Sequence, residues 1–491
     1  MPRAAAVSSA APLSRAEIRR IVFGLMMAML LAALDQTIVA TALPTIGRDL
    51  GDIDHLPWVV TAYLLAATSA VPIYGKLSDI HGRRIMLLVS ISTFLVGSIF
   101  CALAPTMDAL VAARLLQGAG GGGLLALSQT IVGDIMSPRE RAGYQVYFAS
   151  AFTAASVAGP VLGGFFAEHL TWSMIFWINL PLGALALALT RAPLLRLPRH
   201  ERRHKLDVAG AVLLVASSST LLLALSWAGG RFGWDAVPTL GLLALSAALV
   251  AGLAVRLRTA AEPLIPLEVL GDRVVLAATG IATLSVGLFL GLAIYAPILF
   301  ETVRGLSASQ SGLALLPLMV GTVGGTLMSG RAMARLEHYK RLPLAAVPCA
   351  ALAAIVLMTS AATLPIWALS LVLSAVSIAL GTLLPISTVS IQNAVEPHHL
   401  GTATATANLC RQLGGAVMVA IFGTILLGRN AGDLAAKASA ADRASLLGGF
   451  HVVFALIAAG AIAAFVVLLA MEERPLTGAR PRASEGLPAG E

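Results

Sequence analysis

Asp35 and Arg114 stand inside long apolar runs, LLAALDQTIVATALP and ALVAARLLQGAGGGG. A charge carried to the middle of a hydrocarbon layer costs about 2.5–3.5 kcal/mol on insertion scales, so each needs a partner or a water-lined hollow. A carboxylate in that setting can be neutralised by a proton, whereas a guanidinium stays charged. The two residue types together offer a titrating group and a fixed cation. The bland reading of Asp35 is a side chain reaching for the outer interface, but a mostly apolar stretch still follows it before Asp49. For Arg114 a structural role, with donors given to Gln117 or to backbone carbonyls, stays open.

Further polar residues interrupt the apolar runs. Gln36 follows Asp35, and Gln117 lies one helical turn beyond Arg114; Asn393, Asn408, Arg411 and Gln412 cluster late in the chain. Amides and a cation at membrane depth point to a water-lined cavity or to an inter-helix hydrogen-bond network, and the sequence leaves both readings open. Glu301 and Asp134 fall at the ends of such runs and read as interfacial. The stretch GKLSDIHGRR carries Gly75, Asp79, Gly82, Arg83 and Arg84. It is expected as a loop of about eight residues, whose glycines allow a tight reversal and whose Asp79 caps a helix or pairs with the arginines. A plain charged stop signal would explain the basic residues but not the acid. In AGPVLGGFF, Gly159, Pro160, Gly163 and Gly164 predict a close helix crossing with a bend.

The elements that must hold these residues are membrane helices. Of 491 residues, 58% are hydrophobic and 12% charged, with a mean hydropathy of +0.86, far beyond what a soluble chain can solvate. A soluble enzyme is excluded. The net charge of +8 does not point to nucleic acid, because Lys and Arg sit in short clusters between apolar runs. The three cysteines lie in apolar runs without CxxC spacing and read as small buried hydrophobes, and no histidine pair at i, i+4 falls in a helix. No cofactor or metal is expected. GAGGGG lacks the Gly-Lys-Ser/Thr ending of a phosphate loop.

Cutting the sequence wherever charge, Pro or Gly interrupts runs of about 20 apolar residues leaves fourteen candidate spans. Placing both termini in the cytoplasm puts the large majority of the 33 Lys and Arg residues on that side. The first span, preceded by no evident cleavable signal, is expected to stay as an anchor. The organisation expected is a tail at 1–20, a six-helix bundle at 21–193, a basic linker at 194–206, an inserted helix pair at 207–255, a loop at 256–273, a second six-helix bundle at 274–471 and a tail at 472–491. Paired bundles around a central site are typical of secondary transporters.

The charged loop resembles that of the major facilitator superfamily, and within it the chain is similar to the fourteen-helix drug:proton antiporters over about residues 20–471. LDQTIVATALPTI (Leu34 to Ile46), RLLQGAGGGG (Arg114 to Gly123), AGPVLGGFF (Ala158 to Phe166), GLSASQSGLALLP (Gly305 to Pro317) and NLCRQLGGAV (Asn408 to Val417) match that family's motifs in order. Two departures stand out: TWSMIFWINLPLG has Ser173 and Met174 where the family often has a W-R-W-type stretch, and Met418 replaces an expected glycine. The resemblance implies an all-α fold of two six-helix bundles plus two inserted helices, proton relay at Arg114 beside Asp35, a conformational latch in the charged loop and a leak-sealing fifth helix. It also implies proton-coupled export of amphiphilic compounds across the cytoplasmic membrane, with protons, a small amphiphilic substrate and the lipid bilayer as partners and no nucleic acid. Export of a native lipid or metabolite shares the fold, as would a sensor, although the short Gly/Pro/Ala-rich C-terminal tail offers no signalling domain. Oligomeric state is not legible in the sequence.

Overall fold

The computed structural model describes residues 14–51, 56–191, 207–230, 233–306, 308–336, 338–396, 399–427 and 440–476. The linker at 194–206, the N-terminal residues 1–13 and the C-terminal residues 477–491 lie outside the described residues. The described chain is helical throughout, with α1 (Arg15–Leu50), α2 (Leu56–His81), α3 (Arg83–Ala102), α4 (Met107–Ile135) and α5 (Pro138–His169) leading. A short α6 (Met174–Trp177) and α7 (Asn179–Arg191) then share one span. The helices α8 (Val208–Gly230) and α9 (Val237–Thr259) pair with each other, and a short α10 (Leu267–Gly271) precedes α11 (Arg273–Ile298). After them come α12 (Ala308–Arg335), α13 (Arg341–Ser360), α14 (Ile366–Ala394), α15 (Leu400–Leu427) and α16 (Ala440–Ala470). Among the described residues, 14 helices or joined helices are long and apolar enough to cross a membrane. The chain is a multi-pass membrane protein, because in a bilayer a helix satisfies every backbone donor and acceptor internally.

Local chemistry sets the helix ends. Ser14 Oγ accepts from Glu17 N at 3.2 Å while the Glu17 carboxylate accepts from Ser14 N at 2.9 Å, a reciprocal cap that starts α1. Asp272 Oδ1 takes the Val274 and Val275 amides at 2.8 and 3.0 Å to start α11. Pro297 near the end of α11 leads into a wider π-turn, Leu299–Val303, that carries Glu301 on an exposed surface. Cys101 is buried as expected, but Cys349 is exposed, since its helix turns that face outward where a thiol is apolar enough to sit. Trp172, expected in an interfacial belt, is instead buried edge-on to Phe176 in an apolar cluster.

The chain folds as two compact units, one of Met1–Ile131 with Ala154–Asp207 and one of Val132–Thr153 with Val208–Glu491. In the first, the glycine run of α4 explains how that helix is seated. A Cβ built on Gly122 would lie 2.1 Å from the Ala67 carbonyl oxygen of α2, and one on Gly120 would lie 2.4 Å from the Phe94 amide of α3. Ser90 Oγ closes the contact by donating to the Gly120 oxygen at 2.8 Å. Only residues without side chains let three backbones approach this closely. Gly122→Ala is therefore expected to cut the yield of folded, monodisperse protein severely, measured by fluorescence size-exclusion chromatography. A normal elution profile would show that α2 and α4 can part without harm.

In the second unit, α12 packs on α14, α11 on α15, and α13 on α16. Met418, at the position where a glycine was expected, fits because Gly287 of α11 leaves the space: a Cβ there would lie 2.8 Å from Met418 Cγ. The inserted helix α8 packs on α15, and Trp234 Nε1 donates to Thr424 Oγ1.

Candidate functional site

Helix α1 presents Asp35 and α4 presents Arg114 and Gln117 to the same buried point in the first unit. Arg114 Nη1 donates to Asp35 Oδ2 at 2.5 Å, and Gln117 Nε2 donates to Asp35 Oδ1 at 2.7 Å. Spacing explains the second contact: a residue three positions on from Arg114 points to the same face of the helix. Arg114 Nη1 also donates to Gln117 Oε1 at 2.6 Å, and Nε donates to the Val59 carbonyl at 2.9 Å. The guanidinium carbon lies 4.2 Å from the ring centre of Tyr63, so stacking adds to the charge pairing. Asp35 and Gln117 are 0% exposed and Arg114 is 1% exposed.

Two residues that sequence reasoning missed complete the network. Asn179 Nδ2, on the first turn of α7, donates to Asp35 Oδ1 at 3.1 Å and to Ser98 Oγ at 3.2 Å. Ser98 of α3 accepts from Gln117 Nε2 at 2.8 Å and donates its own proton to the Phe94 carbonyl at 2.9 Å. Asn179 was visible in the sequence as a lone amide in the apolar stretch MIFWINLPLGALAL, and its type alone could have flagged it. Ser98 carried no such signal, because serines inside membrane helices usually bond their own backbone. Gln36 sits beside the Tyr63 hydroxyl, which itself donates to the Ala32 carbonyl at 3.4 Å.

Every contact to Asp35 named above comes from a donor. The arrangement satisfies a carboxylate, whereas a protonated Asp35 would bring a donor where acceptors are short. The buried Asn179 Oδ1 has no hydrogen-bond partner in this arrangement. Losing one member of a buried pair leaves the other charge uncompensated, at about 3–5 kcal/mol.

The charged stretch differs from the expected loop. Gly75 and Asp79 lie within α2, and Gly82 alone breaks the helix, with φ 89° and ψ 147°. The chain reverses at one residue because only glycine takes that φ without strain. Asp79 does pair, with Arg83 across the break, and Arg83 Nη1 also donates to Ser78 Oγ at 2.6 Å. Arg84, the second residue of α3, keeps a buried Nε without a hydrogen-bond partner.

On α5, Gly159 is the crossing point: a Cβ there would lie 2.0 Å from Thr37 Oγ1, and Thr37 donates to the Ala155 carbonyl at 2.8 Å. Gly163 is buried on the same helix, whereas Gly164 faces open space. Pro160 falls within α5, but its side chain lies outside the described residues. The late polar residues separate into two groups. Asn408 and Arg411 pair on α15, Arg411 reaches Thr388 of α14 at 3.3 Å, and Gln412 follows half-buried. Asn393 is elsewhere, donating to the Pro475 carbonyl of the segment after α16 at 3.3 Å. Among the described residues no group of three potential metal ligands converges.

Known proteins share this architecture. The Major Facilitator Superfamily model matches residues 25–419. "Multidrug resistance protein 3" of Bacillus subtilis is 34% identical over 412 residues, covering 84% of this chain and 80% of that protein. "Multidrug transporter protein MdtP" of the same organism is 31% identical over 418 residues, covering 85% and 77%. The crystal structure of the human organic anion transporter MFSD10 (TETRAN) matches with a TM-score of 0.61 at 21% identity, covering 92% of this chain and 99% of that one. The proton:xylose symporter XylE matches with a TM-score of 0.60 at 16% identity, covering 91% and 95%. With a family model and two curated relatives spanning most of its length, the chain belongs to the Major Facilitator Superfamily, a family of membrane transporters and not of enzymes.

Proposed function

We propose that the chain is a proton-coupled antiporter that exports amphiphilic drugs or related toxic compounds across the cytoplasmic membrane by alternating access, with both termini in the cytoplasm. The observation that carries the reading is the fully buried Asp35–Arg114 pair inside its ring of amide donors. Both curated relatives are named for multidrug resistance or transport, which supports export of drugs as the direction and substrate class. A proton reaching Asp35 removes its charge and frees the Arg114 guanidinium, which must then find acceptors by moving. Gln117 and Val59 O remain bonded to Arg114 and hold it near, so the step is a local rearrangement. Substrate and proton each favour a different conformer, and linkage makes the coupling reciprocal. The Asp79–Arg83 pair across Gly82 fits a latch that holds the ends of α2 and α3 at a fixed angle in one conformer. The Gly159–Thr37 crossing fits the tight seal that an antiporter needs beside a proton site.

The test is substrate-induced proton movement. Purified protein in liposomes, loaded with a pH-sensitive dye and an acidic lumen so that the proton gradient points outward, should release protons on external addition of a lipophilic cation such as ethidium. A panel of cations, neutral drugs and lysolipids would set the substrate class. Dissipation of the gradient by none of them would overturn the antiport reading.

A further inference from the structure

The second unit holds a buried polar cluster that the proton site does not use. Asn408 and Arg411 lie one turn apart on α15, and Thr388 faces them from α14. Arg411 donates to Asn408 Oδ1 and, through Nη1, to Thr388 Oγ1 at 3.3 Å. A guanidinium has only donors, so it fixes which end of the Asn408 amide is the oxygen. The other end, Nδ2, is then a buried donor without a hydrogen-bond partner, on a residue only 7% exposed. Native structures rarely leave such a group unmatched unless something else supplies the acceptor. Arg411, Thr388 and Thr404 line one crevice with Ala282 of α11 and with Ile391 and Ala407. The crevice therefore combines a cation and two hydroxyls with an apolar wall, and the unmatched amide of Asn408 lies beside that cation through its bond to Arg411.

We propose that this crevice is a substrate subsite for the anionic head, a carboxylate or its equivalent, of an amphiphile whose apolar body lies along Ala282, Ile391 and Ala407. The proposal rests on the export reading above and names a substrate class for it. A carboxylate has lone pairs enough to accept from the Arg411 guanidinium and Asn408 Nδ2 together, and the Thr388 and Thr404 hydroxyls can turn to donate. The crevice is pinched tight in this conformation, so entry of the head requires α15 to part from α11 and α14. Such opening and closing is what a site served alternately from two faces undergoes.

The experiment compares two probes that differ only in the charge of the head: 1-pyrenebutyrate and its methyl ester. Each is titrated against purified protein in neutral phosphatidylcholine nanodiscs, with empty nanodiscs as the blank, and binding is read by fluorescence anisotropy. Wild-type protein should bind pyrenebutyrate about tenfold more tightly than the ester, the scale of one charge-assisted hydrogen-bond set. Arg411→Gln and Asn408→Asp should each erase the preference, the second by placing a carboxylate where the head would sit. Arg411→Lys, which keeps the charge without the planar fork, should keep part of the preference and covers the case in which Arg411→Gln fails to fold. Equal affinity for the two probes in wild type, or a preference that survives in Asn408→Asp, would overturn the subsite. No proton gradient is involved, so the result is separable from antiport.

Discussion

Asp35→Asn should reduce gradient-driven export in proteoliposomes to the level of protein-free vesicles, while exchange of substrate down its own gradient persists. The asparagine has the shape of the aspartate but cannot bind and release a proton in this range, so the driving ion has no carrier. Its amide also puts a donor at one of the two positions that now accept, facing either Arg114 Nη1 or the pair Gln117 Nε2 and Asn179 Nδ2. The variant should still fold, with stability lower by about 3 kcal/mol, the low end of the cost of leaving one charge of a buried pair without its partner, because the amide oxygen still accepts a hydrogen bond. Membrane abundance, thermal melting and counterflow measured side by side separate loss of coupling from loss of protein. Full proton-coupled efflux in Asp35→Asn would remove this residue from the mechanism.

Arg114→Met should be the most destabilising change in the first unit apart from backbone clashes. The methionine fills part of the volume but leaves Asp35 facing only amide donors, and it abandons the Val59 carbonyl and the face of Tyr63. Removing one partner of a buried pair costs about 3–5 kcal/mol, which in a marginally stable protein is enough to lose most folded material. The double variant Asp35→Asn with Arg114→Met should recover much of that loss, because neither remaining side chain is a buried charge. It should not recover transport. Melting temperatures of wild type, both singles and the double, in one detergent, close the thermodynamic cycle. Strictly additive losses would show that the two residues, although in contact, do not act as a pair.

The separation of legible from hidden features follows the range of the physical signal. The membrane spans were legible because hydropathy over about 20 residues decides insertion span by span. Their number agrees with the 14 helices long and apolar enough to cross a membrane among the described residues. Asp35 and Arg114 were legible as residues out of place, because an ionisable group in an apolar run is costly wherever it points. The charged stretch misled, since counting glycines and charges gave a loop while helix propensity extended α2 through Asp79 to His81. Asn393 and Arg411 looked alike in the sequence, as polar breaks in apolar runs, yet one bonds the segment after α16 and the other lines a crevice with Thr388. The role of GAGGGG as the seat of α4 against α2 and α3 could be read only from the backbones it touches.

What the amino-acid order determined unaided was the class, an all-helical multi-pass transporter, together with the residues whose burial would need explaining. Tertiary structure alone decided which of them meet: Arg114 finds Asp35 across 79 residues, and Asn179 reaches it across 144. The reason is that solvation in lipid is settled locally, by each segment's own side chains and internal hydrogen bonds. The partner that satisfies a buried charge is settled by how closely distant backbones can approach, and here that distance is set by glycines on one helix and small or polar groups on its neighbours.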